Sequence, residues 1–128
     1  MNDSARFLRR SLQLDGIASG VTGMLLLVGA GPVSALIGLS APTIARAIGA
    51  LLAVYAAALL WNAARATVSR RETLAAVALN AAWVLGSIAV IELGSLTMLG
   101  NLAVAAVALA VLVFAILEIM GLRRLQEA

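Results

Sequence analysis

The sequence predicts an all-α fold: an integral membrane four-helix bundle with both termini cytoplasmic and a short interfacial helix after the first span. Three observations lead there. Residues 93–117 read LGSLTMLGNLAVAAVALAVLVFAIL, 25 residues without a charge. As a helix this run is about 37 Å long, more than the ~30 Å hydrocarbon core of a bilayer. It has no polar face, and a helix apolar all round belongs in a large core or in lipid. Residues 16–45, 47–64 and 73–91 are also free of charges, and each reaches the roughly 18 residues that a span needs. Finally, the chain is 63% hydrophobic and 12% charged, with a mean hydropathy of +1.08, where a soluble domain is about a quarter charged. Four spans, about 8–30, 42–63, 72–91 and 96–121, fill residues 1–128 as a single transmembrane domain.

The opening MNDSARFLRRSLQL reads as a helix start, with Asp3 or Ser4 as cap and Phe7, Leu8 and Leu12 on the apolar face. Arg9 and Arg10 mark the membrane edge. The first span runs to Ala30 and breaks at Gly29-Ala30-Gly31-Pro32, because proline fixes φ and lacks the N–H. Val33 to Leu39 then forms the short interfacial helix; a single kinked helix from Gly16 to Gly38 is the alternative. Ser40 caps the second span, with Pro42 in its first turn and Trp61 at headgroup level near its end. Ser69-Arg70-Arg71-Glu72 has capping-box spacing and starts the third span. Glu92-Leu93-Gly94-Ser95 is a tight turn into the fourth, which ends at Glu118 to Gly121 before Arg123-Arg124.

Orientation follows from arginine. With four spans, Arg6, Arg9, Arg10, Arg65, Arg70, Arg71, Arg123 and Arg124 fall on one side and only Arg46 near the other. That asymmetry places both termini in the cytoplasm. The net charge of +3 is therefore explained by membrane orientation, and no nucleic-acid partner is expected.

Cysteine and histidine are both absent. Thiol redox chemistry, imidazole or thiolate metal ligation and histidine-held haem are excluded with them. So are catalytic pairs with Cys or His as nucleophile or base. No enzyme activity, no cofactor and no metal are expected.

Helices in lipid associate through close packing and a few polar contacts. Gly16 and Gly20 form a GxxxG in the first span. Ala45, Gly49, Ala53 and Ala57 make a small-residue stripe in the second, and Ala78, Ala82 and Gly86 one in the third. These stripes suit packing within the bundle or homo-oligomerisation. Polar groups inside a membrane are expensive, and so are paired or functional. Here they fall in two layers. The outer one holds Arg46, Glu92, Thr97 and Asn101, with an ion pair expected between Arg46 and Glu92. The inner one starts from Ser11, Asp15, Ser19 and Thr22, which share one face at spacings of four, four and three. Asn80, Trp83 and Ser87 share a face of the third span, and Asn62 and Glu118 lie near the cytoplasmic ends of the second and fourth. Asp15, Ser19, Asn62, Asn80, Trp83 and Glu118 are thus the candidate binding cluster, either a dry hydrogen-bond network or a cytoplasm-facing cavity.

The stretches LDGIASGVTGMLLLVGAG, Leu36–Gly38, Ile48–Gly49, LNAAWVLGSIAV and FAILEIMGLRR together resemble a loose group of small bacterial integral membrane proteins with four predicted spans and no assigned function. The resemblance implies the bacterial inner (cytoplasmic) membrane, multi-pass, and no activity. Small multidrug resistance transporters share the size and an acidic residue in the first span, where Asp15 stands, but their glutamate and other motifs are missing; the signatures of the fluoride channels are missing too. Both families include antiparallel dual-topology dimers, against which the arginine bias argues.

The primary expectation is a structural or accessory protein that binds lipid or a membrane-protein partner through its helix faces. The alternative is an oligomeric transporter of a small molecule or ion that works through the polar layer around Asp15.

Overall fold

The computed structural model describes residues 3–127; Met1, Asn2 and Ala128, the chain ends expected in the cytoplasm, lie outside the described residues. Five helices follow one another: α1 (Asp3–Val28), α2 (Ala30–Ile37), α3 (Pro42–Ala64), α4 (Arg70–Leu93) and α5 (Met98–Glu127). α1, α3, α4 and α5 are long and apolar enough to cross a membrane. Their long side chains point outward: Val28, Leu51, Val54, Leu85 and Leu109 are all largely exposed, as lipid rather than water requires. The fold is an all-α four-helix bundle of a multi-pass membrane protein.

The helix ends refine the expected boundaries. Only Gly29 separates α1 from α2, so Pro32 lies inside the first turn of α2, where its missing N–H costs nothing. α2 stops at Gly38, whose φ of 87° is left-handed, and the N–H groups of Gly38 and Leu39 both close on the Ser34 carbonyl, at 2.9 and 3.0 Å. Ser40 does not cap α3. Pro42 at the first helical position forces the residue before it into extended backbone, so Ala41 becomes the cap without a side-chain bond. The Ser69 hydroxyl does cap α4, accepting from the Glu72 N–H at 3.2 Å. The reciprocal half of that box is replaced: the Ser69 N–H donates to Asn62 Oδ1 at 2.8 Å, and Glu72 turns to Arg65 at 2.8 Å.

α1 is the central element. It packs along α3 and also against α5, α4 leans on α5, and α3 and α4 barely touch. The α1–α3 contact depends on glycine. A Cβ on Gly23 would lie 2.8 Å from the Gly49 carbonyl oxygen, and one on Gly49 would lie 2.7 Å from that of Gly23. Gly16 and Gly20 continue the seam against Leu60 and Ala56. In α3 the buried line is Ala45, Gly49 and Ala56, while Ala57 is exposed. A row of fours drifts around a helix that repeats every 3.6 residues, so the expected stripe leaves the seam after Ala53, whose backbone N would lie 3.1 Å from a Cβ on Gly23. Ala78, Ala82 and Gly86 face away from the bundle.

The arginine-rich end is closed. Leu8, Leu12, Leu59, Ala63, Ala76 and Leu122 form its hydrophobic core. Arg9 seals the rim by donating to the carbonyls of Ala63, Arg65 and Ala66 at the end of α3, where a cation also meets the negative end of the helix dipole. Arg124 lies 4.2 Å from the centre of the Phe7 ring. At the other end Thr97 ties α2 to α5. Its hydroxyl donates to the Leu36 carbonyl at 2.8 Å and accepts from the Gly100 N–H at 2.9 Å, and its N–H donates to the Ile37 carbonyl at 3.2 Å.

Candidate functional site

The polar stripe of α1 points into the bundle because lipid surrounds everything else. Asp15 is 1% exposed, Asn80 on α4 3% and Glu118 on α5 0%. Asp15 lies about 7 Å inward from Arg10, Glu118 a similar distance from Arg123, and Asn80 about 13 Å from Arg71, so the three meet inside the span region. They meet at one amide. Asn80 Nδ2 donates to Asp15 Oδ2 at 3.0 Å and lies 3.3 Å from Glu118 Oε1. Tyr55 on α3 fixes that amide: its hydroxyl donates to Asn80 Oδ1 at 2.7 Å, with the Ala76 carbonyl at 3.2 Å. A phenol has one proton to give, so the amide oxygen faces the tyrosine and the NH2 faces the acids. Ser19 completes the network, its hydroxyl donating to Asp15 Oδ1 at 3.3 Å.

Among the candidate cluster residues, two buried atoms are without partners: Glu118 Oε2 and Trp83 Nε1. Among the described residues neither acid has an ion pair with an arginine, and Arg9 is engaged at the end of α3. Two carboxyl groups therefore share one amide donor in a medium where uncompensated charge is costly.

Beside this network is a cavity of about 360 Å³. Asp15, Ser19, Tyr55 and Asn80 form its floor. Leu51, Leu52, Leu79, Val107, Val111 and Phe114 form much of its wall, with Trp83 and Thr22 further along. Glu118 lies behind the floor, below Phe114 by one helical turn. Every span contributes to the lining. From Asp15 to Thr22 is seven residues, so the cavity extends about 10 Å along α1. It extends away from the arginine-rich end, which the leucine core blocks. The hydrophobic core thus separates the polar layer from that end. Leu51 and Leu79 are 72% and 56% exposed and stand on α3 and α4; the seam between these two helices is the side opening.

Of the six residues expected to cluster, Asp15, Ser19, Asn80 and Glu118 are joined by hydrogen bonds and Trp83 lines the cavity. Asn62 does not join them. It is buried but serves its own loop, donating to Thr73 Oγ1 at 3.1 Å and accepting from the Ser69 N–H. Nor do Arg46 and Glu92 form the expected ion pair. Both are exposed, and the ion pairs among the described residues are Arg6–Asp3 and Arg65–Glu72. The reason is the sparse contact of α3 with α4: the hydrogen bonds that join them run from Asn62 to Thr73 and from Tyr55 to Ala76 and Asn80, toward their short loop. Tyr55 and Phe114 were not anticipated. The signal for Tyr55 is its position seven residues before Asn62, on the same face of α3 and at the depth of the acids.

Compared with protein-family models, curated proteins and solved structures, the chain matches none. Its site is therefore read from its own geometry.

Proposed function

We propose that this is a small membrane carrier, located in the bacterial inner membrane with both termini cytoplasmic, that binds a small amphipathic molecule in the cavity above Asp15. One observation carries the reading: among the described residues, the polar network to which all four spans contribute forms the floor of a cavity large enough for a ligand. An acidic floor with apolar walls suits a molecule with a polar head and an apolar body. The opening between α3 and α4 admits such a molecule from the lipid. The chemistry is binding and passage, not catalysis.

The accessory reading keeps one specific support. The outward Ala78–Ala82–Gly86 face of α4 is smooth, with open space at Gly86, as a helix of a second membrane protein or of another copy would need.

The cysteine-free chain gives a clean test. Ala18→Cys places a thiol in the cavity wall, and Leu109→Cys places one at an exposed position on α5. In proteoliposomes a maleimide reacts with thiolate, which requires water. A carrier exposes Cys at position 18 to a membrane-impermeant maleimide from each side in turn and leaves position 109 unlabelled. If neither position reacts, the cavity is dry and the protein is an accessory one.

A further inference from the structure

The cavity also specifies the class of its ligand. The chain holds five aromatic side chains: two Phe, two Trp and one Tyr. Three of them, Tyr55, Trp83 and Phe114, line this one cavity together with Asp15. They come from three different helices, α3, α4 and α5, so no single-helix periodicity puts them there. Ordinary wall-building in this chain uses Ala, Leu and Val, which supply the remaining lining, apart from Ser19, Thr22 and Asn80. Rings were placed where the carboxylate is.

We infer that the site binds an organic ammonium ion, its cationic head held between the carboxyl of Asp15 and the faces of Tyr55, Trp83 and Phe114, and its apolar body lying along Leu51, Leu79 and Val107. Aromatic faces carry negative electrostatic potential and attract a soft cation, most strongly where water is excluded. The floor offers acceptors: Asp15 Oδ1 accepts from the Ser19 hydroxyl and Oδ2 from the Asn80 amide that Glu118 shares. The two acids have no basic side chain to balance them, and the ligand brings that charge. A carboxylate or phosphate would meet the Asp15 carboxylate with like charge. The unpartnered Trp83 N–H stands three residues, about 4.5 Å, along α4 from Asn80. It can donate to an ether, ester or hydroxyl oxygen of the ligand at that distance from the head.

This inference rests on the carrier reading, and the test keeps the two apart. Benzyltrimethylammonium is the probe and neopentylbenzene, its uncharged carbon isostere, is the control. Binding is measured in lipid nanodiscs by calorimetry. It is also read from the fluorescence of Trp83 in the Trp61→Phe background, where it is the only tryptophan. The cation is expected to bind saturably and at least tenfold more tightly than the isostere. Phe114→Leu, which touches none of the hydrogen bonds, is expected to weaken the cation by about three- to tenfold and to leave the isostere unchanged. Asp15→Asn is expected to abolish the preference for charge. If the isostere binds equally or better, the ammonium assignment fails while the cavity remains a ligand site. If neither compound binds although Cys at position 18 is still labelled, the assignment fails and the water-filled cavity stands. If that label is also lost, the carrier reading falls with it.

Discussion

Asn80 donates to Asp15 across 3.0 Å while the same nitrogen lies 3.3 Å from Glu118, so a single amide on α4 holds two acids from α1 and α5. α1 and α4 make little direct helix-to-helix contact. Their link through the bundle interior is this side chain, together with the Tyr55 hydroxyl that orients it from α3. Removing the amide leaves two buried carboxyl groups facing each other with the Ser19 hydroxyl as the one donor left to Asp15 and none to Glu118. Asn80→Leu should therefore cost about 1–3 kcal/mol, the penalty for stranding buried polar groups. Tyr55→Phe should cost less, about 0.5–1.5 kcal/mol, since the amide keeps both acids. Thermal unfolding in detergent ranks the two, and a reversed order means that Tyr55, not Asn80, organises the layer.

Gly23 and Gly49 set the distance between α1 and α3. Each would press a new Cβ onto the other's carbonyl oxygen at under 3 Å, and backbone cannot rotate aside as a side chain can. Gly23→Ala and Gly49→Ala should each destabilise by about 1–3 kcal/mol through overpacking. Gly86→Ala meets open space and should be neutral or slightly stabilising, because alanine is the better helix former. Equal melting temperatures for all three would mean that the α1–α3 seam is loose.

Arg9 should matter more than its neighbours. Its guanidinium spreads over the carbonyls of Ala63, Arg65 and Ala66, a geometry that a single ammonium cannot copy. Arg9→Lys should thus recover little of the loss caused by Arg9→Ala, about 1–2 kcal/mol. Exposed Arg46 and Glu92 have no such partner, and Arg46→Ala and Glu92→Ala should each leave stability within about 0.5 kcal/mol of the parent. A double-mutant cycle over that pair should show no coupling.

The helices were legible because lipid imposes a length and forbids charges, and both can be counted along a chain. The α1 stripe was legible for the same reason: in so apolar a sequence, Asp15 and Ser19 at four-residue spacing can face only inward. What the sequence hides is which helix lies beside which. Arg46 and Glu92 share an end of the bundle, yet α3 and α4 touch only sparsely, and no local pattern encodes that. Asn62 misled for a different reason. A polar residue one turn from a helix end can close its own loop, and the Ser69 N–H was available to it. Tyr55 and Phe114 were passed over because an aromatic in an apolar run reads as filling; only the assembled cavity sets three rings beside one acid.

The two acids should separate when each is turned into its amide. Asp15 lines the cavity and is exposed to whatever enters it; Glu118 lies behind the floor with Oε2 facing no donor. Glu118→Gln keeps the acceptor that Asn80 addresses and turns the stranded oxygen into an NH2 that can donate to Asp15. It removes one of two carboxyl groups that face each other at a site without a basic partner. The variant should gain about 1 kcal/mol in thermal stability and retain ligand binding within about threefold. Asp15→Asn should fold as well as the parent, since Ser19 and Asn80 still find an amide to bond, but it takes the charge out of the cavity itself. Labelling of Cys at position 18 should persist in both variants, because neither changes the volume of the cavity. Should Glu118→Gln lose binding as completely as Asp15→Asn, the acids act as one unit and the cavity floor extends through Asn80 to α5. Should Asp15→Asn unfold while Glu118→Gln is stable, Asp15 is the structural member of the pair and the ligand site must be sought higher in the cavity, at Trp83.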